Sequence, residues 1–451
     1  MPATDSHPGD THRAIDAVWR IESPRLIAGL TRMVRDIGIA EDLAQDALVA
    51  ALQQWPESGV PDNPGAWLMA AAKHRAIDHF RRATRLERKH AELGRELEAR
   101  EMAMPNLESA LDDNVGDDLL RLVFISCHPV LSQEARVALT LRLLGGLTTD
   151  EIARAFLVPE PTIAQRIVRA KRTLAEKRVP FEVPRGSELA ARLSSVLEVV
   201  YLVFNEGYAA TAGDDWLRPG LCEEALRLGR VLAGLAPHEP EVHGLVSLME
   251  IQASRARARV GPSGEPVLLF DQNRVHWDQL LIRRGLAALE RAEKLGAETM
   301  STGTVSDEIS GNYSGPYALQ AAIAACHARA RTPEETDWPR IVALYGALSR
   351  LSPSPVVELN RAVAVAMAYG PAPGLEIVDA LIADKALENY HLLPSVRGDL
   401  LNKLGRTDEA RAEFERAASL TRNGRERDLL LKRAQACREG EQSAGVEAAK
   451  P

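Results

Sequence analysis

Gln165, Arg166, Arg169 and Arg172 lie in residues 147–176, where Ile163, Ile167, Ala170 and Leu174 recur at helical spacing. The apolar set lines one face of a helix, and the amide and guanidinium groups can occupy the other. A guanidinium presents two donors to the guanine edge, and an amide pairs with adenine. A helix lying in a DNA major groove needs such a front and an apolar back for its scaffold. An ordinary helical hairpin with a solvated basic face has the same pattern.

The preceding residues supply what such a helix requires. Thr148 caps a first helix and Glu151, three residues on, completes a capping box. Ile152, Ala153 and Phe156 form its apolar stripe. Leu157, Val158 and Pro159 make a short turn, because Pro159 disfavours helix at Val158. Pro161 suits the first turn of the next helix. The spacing predicts a helix-turn-helix.

A second basic stretch stands earlier. Residues 73–95 carry Lys73, Arg75, Arg81, Arg82, Arg85, Arg88, Lys89 and Arg95 against Asp78, Glu87 and Glu92. It begins in AWLMAAAKHRAIDHFRR, a predicted helix with Trp67, Ala71, Ile77 and Phe80 among its apolar positions. Residues 12–54 read as two or three further helices. Leu43, Ala47, Leu48, Ala51, Leu52 and Trp55 share an apolar face, with Asp42, Gln45, Asp46 and Gln53 around the polar side. The loop WPESGVPDNPG, rich in Pro and Gly, joins the two parts. Residues 166–185 are also basic, whereas residues 96–118 hold eight acids and only Arg100. Two basic segments flanking an acidic tether point to two nucleic-acid contacts, with surface charge on separate helices as the alternative.

Composition sets outer bounds. The 451 residues are enough for two to four domains. Cys127, Cys222, Cys326 and Cys437 show no metal spacing and fit isolated thiols in a reducing compartment. The N-terminal MPATDSHPGDTHRAID lacks the apolar core of a signal peptide, and no apolar run is long enough to span a bilayer. The expectation is a cytoplasmic protein without membrane partner, metal or other cofactor. Its net charge of −8 argues against a chain that is basic throughout.

With these elements in order, the chain resembles an extracytoplasmic-function (group IV) sigma factor of bacterial RNA polymerase. Residues 10–82 resemble sigma region 2. AEDLAQDALVAAL matches the polymerase-binding helix, and NPGAWLMAAAKHRAIDHFRR the helix that recognises the −10 element. Residues 115–182 resemble region 4, with DEIARAFLVPEPTIAQRIVRAKR as the −35 reader. The resemblance implies that Asp42, Gln45 and Asp46 face core RNA polymerase. It places Asp62 and Asn63, after Pro61, in a loop that traps a flipped base; a plain turn is the alternative. Lys73, Arg75, Arg81 and Arg82 would meet phosphates near the −10 element of promoter DNA. Gln165, Arg166 and Arg169 would read −35 base edges, while Thr162, Lys171 and Arg172 hold phosphates. Residues 83–114 would form an acidic flexible linker along the RNA exit path. Pro159 and Pro161 around Glu160 depart from the usual turn. Trp67 reads as core, and His74 and His79 as ordinary surface or core histidines.

Residues 186–441 read as nearly all helix, with longer loops at 260–275 and 300–316. Leu404–Gly405, Ala410, Phe414 and Ala417 are placed as in a tetratricopeptide repeat. Tyr369–Gly370 stand 35 residues earlier in the same register, close to the repeat length. The whole chain is similar to the sigma-factor subgroup with a C-terminal tetratricopeptide-like extension, to which YLVFNEGY (201–208) also conforms. The fold expectation is all-α: a region 2 bundle, a region 4 helix-turn-helix and a helical solenoid. The resemblance implies that the extension controls the factor, by contact with region 2 or region 4. A helix-turn-helix regulator that senses through its solenoid and never meets polymerase is the competing reading. Enzymatic roles lack support: Glu206 and His276 could form an acid–base pair, but no nucleophile, phosphate-loop or metal motif accompanies them.

Overall fold

The computed structural model describes residues 8–93, 115–156, 158–185, 187–210, 212–213, 216–262, 264–300, 313 and 315–448. Among the described residues the protein is all-α apart from a two-residue parallel pairing of 212–213 with 422–423 and an isolated antiparallel bridge between Val260 and Pro266. It divides into two compact units, residues 1–200 and 201–451. The acidic segment 94–114, and Asn312 in the second expected loop, lie outside the described residues.

The first unit begins with α1 (Pro8–Val34), α2 (Ile37–Ser58) and α3 (Pro64–Leu93). Asp36 caps α2, its carboxylate accepting from the N–H groups of Gly38 (2.7 Å) and Ile39 (2.9 Å). Gly59 ends that helix at φ +80°, a left-handed conformation natural to glycine. The buried stripe of α2 is Ile37, Ala40, Leu43, Ala44, Ala47, Ala50, Ala51 and Trp55. Leu52, expected on that face, is exposed. On α3 the buried positions sit beside those read: Leu68, Ala72 and Ala76 are buried, while Trp67, Ala71 and Ile77 are half-buried. The run WLMAAA is apolar all round, so its periodicity has two nearly equal phases. Trp67 packs edge-on against Trp55, ring centroids 5.2 Å apart. Residues 83–93, expected in the linker, continue α3 as helix.

Then follow α4 (Val115–Ser126), α5 (Gln133–Leu143), α6 (Thr149–Phe156), α7 (Glu160–Glu176) and α8 (Ser187–Tyr208). The reciprocal capping box of α6 forms as read: Glu151 N–H donates to Thr148 Oγ1 (3.1 Å), and Thr148 N–H to Glu151 Oε2 (2.8 Å). Ile163, Ile167, Ala170 and Leu174 of α7 are all buried. Each buried isoleucine or leucine stabilises this packing by about 1.5–3 kcal/mol. The division between the units falls inside α8. Its first half packs on α4 and the turn that follows it, although the sequence reading places residues from 186 on in the extension: Arg192 donates to Phe124 O (2.9 Å) and Ser195 Oγ to Cys127 O (2.6 Å).

The second unit comprises α9 (Pro219–Leu235), α10 (Pro240–Ala253), α11 (Gln279–Met300), α12 (Pro316–Arg329), α13 (Trp338–Leu351), α14 (Pro355–Tyr369), α15 (Pro371–Leu381), α16 (Leu392–Lys403), α17 (Thr407–Leu420) and α18 (Gly424–Ala448). Its helices bury two main apolar clusters, one around Leu319, Ile323, Leu344 and Leu348, the other around Leu359, Leu401, Phe414 and Leu430. The repeat register holds: Gly370 (φ +101°) turns α14 into α15, and Gly405 (φ +76°) turns α16 into α17. Neither position could take a side chain without strain.

In YLVFNEGY, Gly207 lies so close to Cys222 that a Cβ would stand 2.6 Å from its backbone nitrogen. Glu206 is ion-paired with Arg218, and His276 is exposed on a short turn. Asp278 caps α11 through Leu280 N–H (2.9 Å) and Leu281 N–H (3.1 Å). Ion pairing and helix capping therefore engage Glu206 and Asp278.

Candidate nucleic-acid interface

The outward face of α7 carries the side chains suited to reading DNA. Gln165, Arg169 and Arg172 are exposed, set against the buried Ile163–Ile167–Ala170–Leu174 stripe. Arg172 reaches Glu176 one turn on (2.6 Å). At 77% side-chain exposure it is free to exchange that partner. Arg166 is half-buried beside Glu134, whose carboxyl lies below the usual range, mainly through backbone and Ser132 hydrogen bonds at the start of α5. Thr162 is half-buried, its N–H bonded to Pro159 O (2.9 Å). Val168 is 63% exposed in the middle of this polar face. The sequence reading passed over it as an apolar residue; its offset from the buried stripe was the available signal. An exposed methyl pair there is suited to the thymine C5-methyl group.

Lys171 sits differently. The sequence reading puts it at a phosphate, yet its ammonium forms an ion pair with Glu41 of α2. Glu41 is 3% exposed, and it also accepts from Arg142 Nε (2.7 Å) and Gln45 Nε2 (2.7 Å). Burial by itself would raise the Glu41 carboxyl, but Lys171 and Arg142 outweigh it and hold it below the ordinary carboxylate value. A second buried carboxylate, Asp118 of α4, meets Arg32 of α1 (3.2 Å) and Arg121 (2.6 Å). Arg20 of α1 reaches Glu151 of α6 (2.7 Å). Within the first unit, α1–α3 and α4–α7 are thus tied by charged contacts, and one tie occupies a lysine of α7.

The residues expected at the −10 element and at polymerase lie on α2, α3 and the loop between. Asp42 is exposed on α2. Gln45 is turned toward Glu41, and Asp46 stands 3.3 Å from Arg75 of α3. Two residues expected at different partners therefore touch each other, in an exposed pair worth at most about 1 kcal/mol. Asp62 and Asn63 are exposed, and Asn63 Oδ1 caps α3 by accepting from Ala66 N–H (3.1 Å). Lys73 is half-buried, and Arg81 is exposed with Asp78 at 4.0 Å. The side chain of Arg82 lies outside the described residues.

Among the described residues no cluster of His, Cys, Asp and Glu could hold a metal ion, and no helix is long and apolar enough to cross a membrane.

Comparisons with known proteins meet this geometry at the same places. Residues 19–86 match the family Sigma-70 region 2, and residues 121–174 match Sigma-70, region 4. Residues 192–293 match a family of unknown function, DUF6596. An uncharacterized protein from Rhizobium meliloti (strain 1021) is 42% identical over 414 residues, 91% of this chain and 93% of its own. The probable ECF RNA polymerase sigma factor SigI of Mycobacterium tuberculosis is 27% identical over 172 residues, 38% of this chain and 58% of its own. The ECF RNA polymerase sigma factor BldN of Streptomyces coelicolor is 31% identical over 138 residues, 30% of this chain and 49% of its own. No solved structure matches. The helix-turn-helix with its exposed Gln/Arg face, the α1–α3 bundle before it and these matches agree: the chain belongs to the extracytoplasmic-function sigma factors and carries a helical C-terminal extension.

Proposed function

We propose that the protein binds core RNA polymerase through α2, recognises −10 and −35 promoter elements, directs transcription initiation, and is controlled by its C-terminal extension. The observation that carries the DNA reading is the exposed Gln165–Val168–Arg169–Arg172 face of α7. In this reading Gln165, Arg166 and Arg169 contact base edges, with Val168 on a thymine methyl. Thr162, Arg172 and Lys171 meet phosphates, Lys171 only once its ion pair with Glu41 opens. Asp62 and Asn63 accept the flipped base, and Lys73, Arg75, Arg81 and Arg82 hold the surrounding backbone. Asp42, Gln45 and Asp46 face polymerase.

Control by the extension is supported by its size and by helical repeats suited to gripping a partner helix. Intramolecular docking on region 2 or region 4 is the proposed route. Truncation tests it, and the cut must respect α8. Ending the chain near residue 185 removes the half of α8 that Phe124 and Cys127 carbonyls engage. A chain ending at residue 208 keeps that contact. Reconstituted transcription with chains 1–208, 1–400 and 1–451 is expected to differ between full-length and shortened forms. Equal promoter activity in all three would refute control by the extension.

A further inference from the structure

Two short turns of the second unit bring three arginines around two aromatic rings. Arg255 and Arg259 flank the turn at 256–258, and Arg274 starts the turn at 274–276. The Arg259 guanidinium lies 3.6 Å from the Tyr208 ring centre, and that of Arg274 lies 4.9 Å from the Trp277 ring centre. Arg255 stands between, 5.8 Å from both rings. Trp277 (3% exposed) and Arg259 (9%) are buried, while Arg255 and Arg274 are half-buried at the cluster's edge.

Such a gathering of like charge is costly in a medium of reduced dielectric unless something offsets it. The ring faces offset part of it. Backbone carbonyls offset more: Arg259 donates to Tyr208 O, and Arg274 to His327 O (2.7 Å) and Ala330 O (2.7 Å). Carboxylates do not complete the balance. Glu334 and Glu335 lie near Arg274, but neither forms an ion pair with it among the described residues. Arg255 has neither a hydrogen-bonded nor an ion-paired side-chain partner there. Four buried N–H donors also lack an acceptor: Nε of Arg255 and of Arg274, and the indole Nε1 of Trp216 and of Trp277. Trp216 adjoins the cluster through Arg259, 5.4 Å from its ring centre.

From this arrangement we infer that the Arg255–Arg259–Arg274 cluster is a binding site for a phosphate group, free or carried by a small organic molecule. A carboxylate offers two oxygens and one charge, which a single guanidinium fork satisfies. A tetrahedral phosphate dianion offers more acceptors and more charge, matching three guanidinium groups that arrive from two separate turns. The rings hold those groups flat and oriented before the anion arrives, which lowers the ordering cost of binding. This site is independent of the DNA-reading face, and its test does not depend on promoter activity.

The experiment titrates the full chain with inorganic phosphate, pyrophosphate, adenosine monophosphate and citrate at constant ionic strength, with chloride as reference. Heat of binding, thermal midpoint and tryptophan emission are followed. A saturable response to at least one phosphate probe is expected, with a higher midpoint than in chloride and altered emission from the indoles. Tighter binding of adenosine monophosphate than of phosphate identifies a phosphorylated molecule as the ligand, and the reverse order identifies the free anion. Arg255→Gln is expected to weaken binding by about tenfold or more, whereas Arg257→Gln, at an exposed neighbour, leaves it unchanged. If Arg255→Gln does not fold, Arg255→Lys, which keeps the charge but loses the fork, must show the weakening. No saturable response beyond chloride, an equal response in the Arg255 variants, or binding of citrate alone would each overturn the assignment.

Discussion

Arginine is used in opposite ways on α7 and on the turns around Trp277. On α7, Arg169 and Arg172 extend into solvent from a helix anchored by Ile163, Ile167, Ala170 and Leu174. In the extension, Arg259 and Arg274 lie against aromatic faces and donate inward to backbone carbonyls. The first arrangement leaves donors available to a large polyanion at little structural cost. The second uses Arg259 and Arg274 to tie backbone carbonyls as well as to face the inferred anion. The contrast predicts that removing an arginine of α7 changes DNA affinity alone, whereas removing one of the cluster costs stability as well as anion binding.

The largest separation is expected from Arg259→Ala. It strips a guanidinium from the Tyr208 ring and leaves Tyr208 O without its donor, so the second unit should lose on the order of 3 kcal/mol of unfolding free energy. Denaturant titration of the full chain measures this, and a change below the error of the method would break the comparison. Arg169→Ala is expected to leave that titration unaltered. It should instead weaken specific −35 DNA binding by ~1–3 kcal/mol, the range for one bidentate base contact. Fluorescence anisotropy with matched and mismatched duplexes resolves the two effects.

His327 gives the second unit a pH dependence that has no counterpart on α7 in this contrast of buried and exposed charge. Burial, followed by the charges of Arg255 and Arg274, pushes its imidazole down to about 3. The folded value lies below the unfolded one, so the stability it contributes is complete above about pH 6.5 and declines as pH falls toward 3. Between pH 7 and pH 5 the second unit should lose ~1–2 kcal/mol, and His327→Gln should flatten this slope in pH-dependent denaturation. The smallest effect concerns Lys171. Glu41→Gln removes the carboxylate that holds it, so free Lys171 adds one phosphate contact. The slope of log affinity against log salt should steepen by about one.

The legibility of the two regions differs for the same reason. The α7 stripe and the Thr148–Glu151 capping box depend on contacts three and four residues apart, which sequence spacing displays directly. The Gly370 and Gly405 turns were readable as a repeat offset. The Glu41–Lys171 pair joins residues far apart in the chain, and each alone looks like an ordinary surface charge. The arginine cluster was hidden in another way: QASRARA continues the helical pattern of α10, yet the helix ends at Ala253 and the chain turns at 256–258. That turn, together with a separate one at 274–276, sets Arg255, Arg259 and Arg274 around two rings. Nothing local to Arg274 and Trp277 shows which residues meet them.

The proposed function requires α2 and α7 to act together in bringing polymerase to a promoter. Its most direct test is reconstituted transcription with bacterial core polymerase on the region upstream of the protein's own gene, comparing the unaltered chain with Asp42→Arg and with Arg169→Ala. A transcript from a defined start that requires the protein is expected. Asp42→Arg should lose the transcript together with core binding, whereas Arg169→Ala should reduce the transcript while core binding persists. A transcript indifferent to both substitutions, or a chain that binds the duplex yet never binds core polymerase, would contradict it.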